Sequence, residues 1–294
     1  MIGEAASIGC AFTWALTSIL LRSQSDRLHV LWLNGIRTLA GTGMVLILAT
    51  AFRPLSAFVT VPPLSVFLLL VSVSIGLGLG DTLYLRSMSI IGVARAVPIS
   101  GVYPLFAMLI AVSLLGEHLS WANVVGVLLL IAAIYFLAFP GQMLRSTLGT
   151  LFTAKNARGV ALALAAGMCW AIGTSIVKVA LADVDFLVAN ALRLPVATLL
   201  LISWANKTQG TASLRKAGWR SLGIVALTGF FGTGLGSTLF MVGVQFAGAA
   251  KAAPLSSLSP LFSAPLSALF LGERLNRQVI LGTVLSVIGV WLVL

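Results

Sequence analysis

Charge is what this sequence has least of. Only 9% of its 294 residues are Asp, Glu, Lys or Arg, against about 25% in soluble domains. So few charges cannot cover a water-facing surface, which excludes an ordinary soluble globule. Acids are the scarcest, with seven Asp and Glu against 18 Lys and Arg. There are two histidines and two cysteines. With no acid cluster and no HExxH run, a catalytic metal site is not expected. No GxxxxGK[ST] loop and no GxSG nucleophile motif occurs, so neither nucleotide hydrolysis nor intramembrane proteolysis is indicated. Cys10 and Cys169 lie in apolar runs and read as small buried hydrophobes, not as a disulfide. Nothing calls for a cofactor.

What is present is apolar length. The chain is 59% hydrophobic, and its uncharged runs approach the roughly 20 residues that cross a bilayer. That predicts a polytopic helical membrane protein with the lipid bilayer as a partner. The net charge of +11 is scattered between apolar runs and forms no patch. It suits membrane topology and argues against a nucleic-acid partner. The first apolar run lacks a basic leader and reads as a retained helix.

The chain repeats itself. Gly76–Phe106 (GLGLGDTLYLRSMSIIGVARAVPISGVYPLF) recurs 156 residues later as Gly232–Phe262 (GTGLGSTLFMVGVQFAGAAKAAPLSSLSPLF), with 14 of 31 positions identical and no gap. The same offset pairs Trp14 with Trp170, Asn34 with Asn190, Arg37 with Arg193 and Leu115-Gly116-Glu117 with Leu271-Gly272-Glu273. Apolar composition produces chance Leu matches, not matched Trp, Asn, Arg, Glu and Pro. A period this long is a duplicated domain.

Apolar runs and their breakers predict ten spans. They are about Ala5–Leu21, Val30–Ala51, Leu64–Arg86, Gly92–Leu115, Trp121–Phe139, Gly159–Lys178, Phe186–Ala205, Ser221–Val244, Gly248–Leu271 and Arg277–Leu294. The units are 1–139 and 159–294, joined by a linker at 140–158. Five spans is an odd number, so the second copy enters the membrane from the opposite side. The expected fold is an all-α membrane protein of ten transmembrane helices in two inverted five-helix repeats, an architecture typical of secondary transporters. Links after the odd-numbered spans, with adjacent ends, hold 13 of the 18 basic residues, and the opposite face holds three. The positive-inside rule then puts both termini outside the cytoplasm, in a cell (inner) membrane.

Arg37 and Arg193 lie inside the second and seventh spans, with Asn34 and Asn190 three residues earlier on the same helical face. An intramembrane charge faces the bundle interior and has a partner. Three roles stay open: tying down backbone carbonyls, contacting an anionic substrate group, or pairing in a gate. Asp81 is the one carboxylate well inside a predicted span, and its repeat mate is Ser237. It reads either as a structural partner of Arg37 or as a site for a coupling proton or a substrate ammonium. A pair with Arg37 would leave Arg193 with no acid at the matching position.

Pro98 and Pro104, like Pro254 and Pro260, interrupt the fourth and ninth spans. Each removes a backbone donor, which a membrane helix tolerates where it lines a cavity or is buried in protein. Ser100, Tyr103, Ser256 and Ser257 stand among them as candidate hydrogen-bonders to a polar solute. The competing reading is a kinked packing helix whose serines bond back onto their own turns. Arg95 and Lys251 occupy matching starts of these spans, as interface anchors or anion contacts. Trp14 and Trp170 sit at matching central depths, either in a cavity wall or in the packing, with Tyr84 as a weaker companion. The glycines of GLGLG and GTGLG lie inside spans at four-residue spacing, so they read as helix contacts and not as a phosphate loop.

The stretches PLFAMLIAVSLLGEHLSWANVVGVLLLIAAI and PLFSAPLSALFLGERLNRQVILGTVLSVIGV, the Trp-Ala pairs at Trp14 and Trp170, and Arg37 and Arg193 resemble the EamA-like transporters of the drug/metabolite transporter superfamily. The resemblance covers nearly the whole chain. It implies a central cavity between the halves, lined among others by Tyr84, Ser100, Tyr103, Ser256 and Ser257. Glu117 and Glu273 would be turn and packing elements. It implies a secondary transporter working by alternating access, expected to export amino acids or related small metabolites. Asp81 would accept the coupling proton, with Arg37, Pro98 and Pro254 in gating. The alternative is an antiporter of phosphorylated or nucleotide-linked sugars using Arg193 and Lys251. Gly248-Ala249-Ala250-Lys251 resembles the GALNK motif of nucleotide-sugar transporters but lacks its asparagine. An intramembrane enzyme or scaffold is the reading from another class.

Overall fold

The two halves of the chain are threaded through each other. The computed structural model describes residues 1–22, 24, 27–91, 99–138, 154–259, 261–262 and 277–293. These residues form helices α1 Ile2–Arg22, α2 Val30–Phe52, α3 Ser56–Val59, α4 Pro63–Val73, α5 Asp81–Ile91, α6 Tyr103–Leu115 and α7 Trp121–Ala138. The second half gives α8 Ala154–Ala180, α9 Phe186–Gln209, α10 Ala212–Lys216, α11 Gly218–Thr228, α12 Ser237–Ala247, α13 Ala249–Ser256 and α14 Arg277–Val293. No strand occurs among the described residues. Five helical stretches are long and apolar enough to cross a membrane: Leu31–Phe52, Pro63–Tyr84, Ala157–Ala180, Phe186–Gln209 and Gly218–Ala247. Shorter apolar helices, Tyr103–Leu115, Trp121–Ala133 and Ile280–Val293, stand beside them.

Two wide turns interrupt the long helices at matching places. Ser74–Gly80 links α4 to α5 as a π-helix, and Gly229–Gly236 links α11 to α12 in the same way. Both are glycine-rich, SIGLGLG and GFFGTGLG. Few side chains there hold the backbone to the tighter α pitch, and such π segments gather at functional sites.

The structure departs from the predicted spans around the prolines. Pro104 does not interrupt a helix: it sits in the first turn of α6, where its missing N–H costs nothing. Pro254 does lie inside α13, which ends at Ser256. Pro98 and Arg95 fall outside the described residues, as do Pro260 and Glu273. Helix α8 starts at Ala154, inside the stretch read as linker.

Packing crosses between the halves. Helix α8 runs along α4, the first π segment, α5 and α6, while α1 runs along α11, the second π segment, α12 and α13. Helix α2 packs on α9 and α7 on α14, each pair being repeat mates. The contacts are reciprocal at residue level. A Cβ added to Gly80 would lie 2.9 Å from Trp170 Cδ1, and one on Gly236 would lie 2.7 Å from Trp14 Nε1. Gly76 faces Gly173, and Gly232 faces Thr17, which is the repeat mate of Gly173. When i touches j and the mate of i touches the mate of j, the interface has two-fold character. Lipid is as apolar as leucine, so close approach through small residues drives such contacts. Gly126 and Gly289 provide it between α7 and α14, where a Cβ on Gly126 would lie 2.9 Å from Gly289 O.

Candidate functional site

The third-span glycine runs end in Asp81 in one half and Ser237 in the other, and this difference organises the site. In the first half, Trp170 of α8 reaches across and donates its indole N–H to Asp81 Oδ1 at 2.8 Å. In the second, Trp14 of α1 occupies the equivalent place against Gly236, but no carboxylate is there. Its indole donates to the Gly232 carbonyl at 3.0 Å instead. The aromatic surroundings differ in the same sense. Trp170 packs on Tyr84 with ring centres 5.2 Å apart, and Trp14 packs on Phe240, the mate of Tyr84, at 5.9 Å.

Tyr103 extends the first cluster. Its ring meets Trp170 edge-on at 6.0 Å. Its hydroxyl donates to the Ala253 carbonyl at 3.0 Å and lies 3.3 Å from Ser256 Oγ. Asp81, Tyr84, Tyr103, Trp170 and Ser256 thus come from α5, α6, α8 and α13 to one place between the halves. The serines are less free than the sequence suggests. Ser256 and Ser257 both donate to the Ala253 carbonyl, at 3.0 and 2.8 Å. Ser100 is buried, and its own carbonyl stands against Gly167.

Arg37 and Arg193 form no ion pair within 4.0 Å among the described residues. Arg37 Nε has no hydrogen-bond partner. Arg193 is only 9% exposed, and Nη1 meets just the Met241 sulfur, at 3.5 Å. Its Nε also lacks a partner. Asn34 and Asn190 are both buried. Asn190 donates to Ser237 Oγ at 2.8 Å and Thr238 Oγ1 at 3.1 Å, while its Oδ1 accepts nothing. Lys251 Nζ lies 4.0 Å from Glu4 Oε1, so an acid already stands beside this candidate anion contact.

One residue read from the sequence as a turn and packing element has a partner that the sequence did not indicate. Glu117, in the turn after α6, accepts from Ala249 N at 2.9 Å and Ala250 N at 3.1 Å. It caps α13 from the other half of the chain, where an anion meets the positive end of the helix dipole. Gly248, at φ 85°, turns the backbone from α12 into this cap. A Cβ there would lie 2.8 Å from Glu117 Oε2, so glycine is required on both counts. The LGE turn was visible in the sequence, but its partner lies 132 residues away.

A duplicated, cross-packed bundle of apolar helices with a polar cluster between its halves defines a membrane transporter class. The chain belongs to the EamA-like transporter family, whose pattern matches residues 1–139 and again 157–294. It is 26% identical to an uncharacterized transporter of Archaeoglobus fulgidus over 298 residues, covering 98% of this chain and 96% of that protein. A solved structure, described only as the crystal structure of a protein, superposes with a TM-score of 0.82 at 17% identity. The superposition covers 99% of this chain and 96% of that one, a likeness of fold.

Proposed function

We propose that this membrane transporter exports amino acids or related small metabolites by alternating access, through ten spans in two inverted five-helix halves. The observation that carries the reading is the shared cluster of Asp81, Tyr84, Trp170, Tyr103 and Ser256, built from both halves. A site assembled from both halves changes its exposure whenever they rock against each other. Substrate binds there, with Asn34, Asn190 and Arg193 lining the neighbouring interior. Asp81 takes up the coupling proton, and its bond to Trp170 reports that state to α8. Arg37 sets the local potential. Pro254 and Gly248 leave α13 short and jointed, which suits a gate. The protein sits in the cell membrane with both termini outside.

The test is flux in proteoliposomes with and without a pH gradient. Wild type concentrates an amino acid when the gradient is imposed. Asp81→Asn loses concentration but keeps one-for-one exchange. Concentration that survives the substitution would remove Asp81 from coupling. The sugar-phosphate antiporter reading is weaker, because Lys251 lies beside Glu4.

A further inference from the structure

Arg193 stands in a membrane helix and makes no ion pair among the described residues. Its repeat mate, Arg37, shares its half with Asp81, whereas the position that matches Asp81 in the half of Arg193 is Ser237. A buried, unpaired guanidinium is costly, and proteins satisfy such groups or omit them. Here the residue is 91% buried by its 9% exposure, Nε is unpartnered, and Nη1 meets only a thioether. One turn earlier on the same face, the fully buried Asn190 leaves Oδ1 unpartnered while its amide is held by Ser237 and Thr238. Two orphaned polar groups on one helix face, with two hydroxyls of α12 bonded to Asn190, make a small polar cluster in an apolar interior.

We propose that Arg193, Asn190, Ser237 and Thr238 form a binding site for one singly charged anionic group. The guanidinium supplies charge and a planar donor edge that matches a carboxylate. The Ser237 and Thr238 hydroxyls accept from Asn190 and donate to the Thr233 and Gly234 carbonyls of the adjoining π segment; either can turn its proton from that carbonyl to the anion while still accepting from Asn190. The orphaned Asn190 oxygen takes a donor from the ligand or from a water bound with it. The group comes either from a free inorganic anion or from the carboxylate of a transported metabolite; the second source rests on the transporter reading, and the site itself does not. The asymmetry of the repeat follows: the first half carries its own carboxylate in Asp81, and the second borrows one.

The test is a thermal-unfolding titration of the full-length protein in detergent, in a buffer whose only anion is bulky. Chloride and acetate are added separately, then glycine as a zwitterionic carboxylate. Wild type gains a saturable rise in midpoint with at least one of them. Arg193→Gln loses the saturable rise yet unfolds at an equal or higher temperature in anion-poor buffer, because an uncompensated charge has gone. Ser237→Asp, which supplies the missing acid, also abolishes the rise. Arg193→Lys keeps charge without the fork and weakens binding about tenfold. A wild type indifferent to all three probes would overturn the proposal, as would a rise unchanged in both Arg193→Gln and Ser237→Asp. Saturation by chloride alone assigns a free anion, and competition by glycine assigns a substrate carboxylate. Failed amino-acid flux with a saturable titration would overturn the amino-acid export reading and leave the site standing.

Discussion

The hydroxyls of Thr42 and Thr198 touch at 2.8 Å, and the two residues are 156 positions apart, one full repeat. A residue can meet its own repeat mate only near the axis that relates the copies. Helices α2 and α9 therefore cross on the pseudo-two-fold. Loss of one hydroxyl strands the other in the buried interface. Thr42→Val alone is expected to cost about 1 kcal/mol, and Thr42→Val with Thr198→Val less than either single change suggests. A double-mutant cycle by thermal unfolding checks the coupling.

Gly80 and Gly236 receive Trp170 and Trp14 edge-on. Alanine at either position drives a methyl into the indole, since the added Cβ would stand within 3.0 Å of ring atoms in both cases. Each Gly→Ala change should destabilise by about 1–3 kcal/mol through overpacking. The functional cost should differ: Gly80→Ala displaces the indole that holds Asp81 and impairs flux more than Gly236→Ala. Equal flux losses at equal stability would count against a special role for the first cluster.

Glu117 holds two backbone donors of α13. Glu117→Ala leaves the Ala249 and Ala250 N–H groups without their acceptor, at an expected cost of about 1–3 kcal/mol. Glu117→Gln keeps an acceptor oxygen and should retain part of that stability. Hydrogen exchange at Ala249 and Ala250 is the direct readout, and protection unchanged in Glu117→Ala would remove the cap from the account.

At the loop end of α9, Arg53 Nη2 bonds Asp185 Oδ2 at 2.7 Å, and Asp185 caps α9 by accepting from Leu187 N and Val188 N. Partial burial pushes the Asp185 carboxyl upward, but the bonds from Arg53 and the helix N–H groups outweigh it and hold the group below its usual range. A depressed carboxyl stabilises the fold above its unfolded value, near 3.9. That contribution fades as pH falls through the lower folded value. Both side chains are 32% exposed, so solvent screening limits the ion pair to below about 1 kcal/mol. Asp185→Asn should lose the acid-side slope and keep most of the cap, whereas Asp185→Ala loses both. Unfolding midpoints measured from pH 6 downward decide between them.

Much of this was legible because duplication checks itself. The 156-residue offset identified Trp14 with Trp170 and Arg37 with Arg193, and singled out Asp81 as the place where the copies differ. What the sequence could not carry was which half touches which. Trp170 meets Asp81 and Glu117 meets Ala249 across the halves, and no periodicity within one half encodes such a pairing. Pro104 misled for a local reason, whereas Pro254 does lie inside its helix. Pro104 looks like an interruption when the apolar run around it is read as one helix, but its fixed φ suits the first turn of α6, so the chain starts a helix there. For Ser256 and Ser257 the sequence left two readings open, and their bonds to the Ala253 carbonyl match the one in which serines bond back onto their own turn.

Ser74–Gly80 shifted by one repeat falls on residues 230–236, inside the π segment observed at Gly229–Gly236. A wide turn kept at one register in both copies belongs to what the halves share, while Asp81 opposite Ser237 and Tyr84 opposite Phe240 belong to what each half holds alone. The two halves therefore offer the same backbone joint at two places with different chemistry beside it. A motion that uses both joints would meet a carboxylate at one and a hydroxyl at the other.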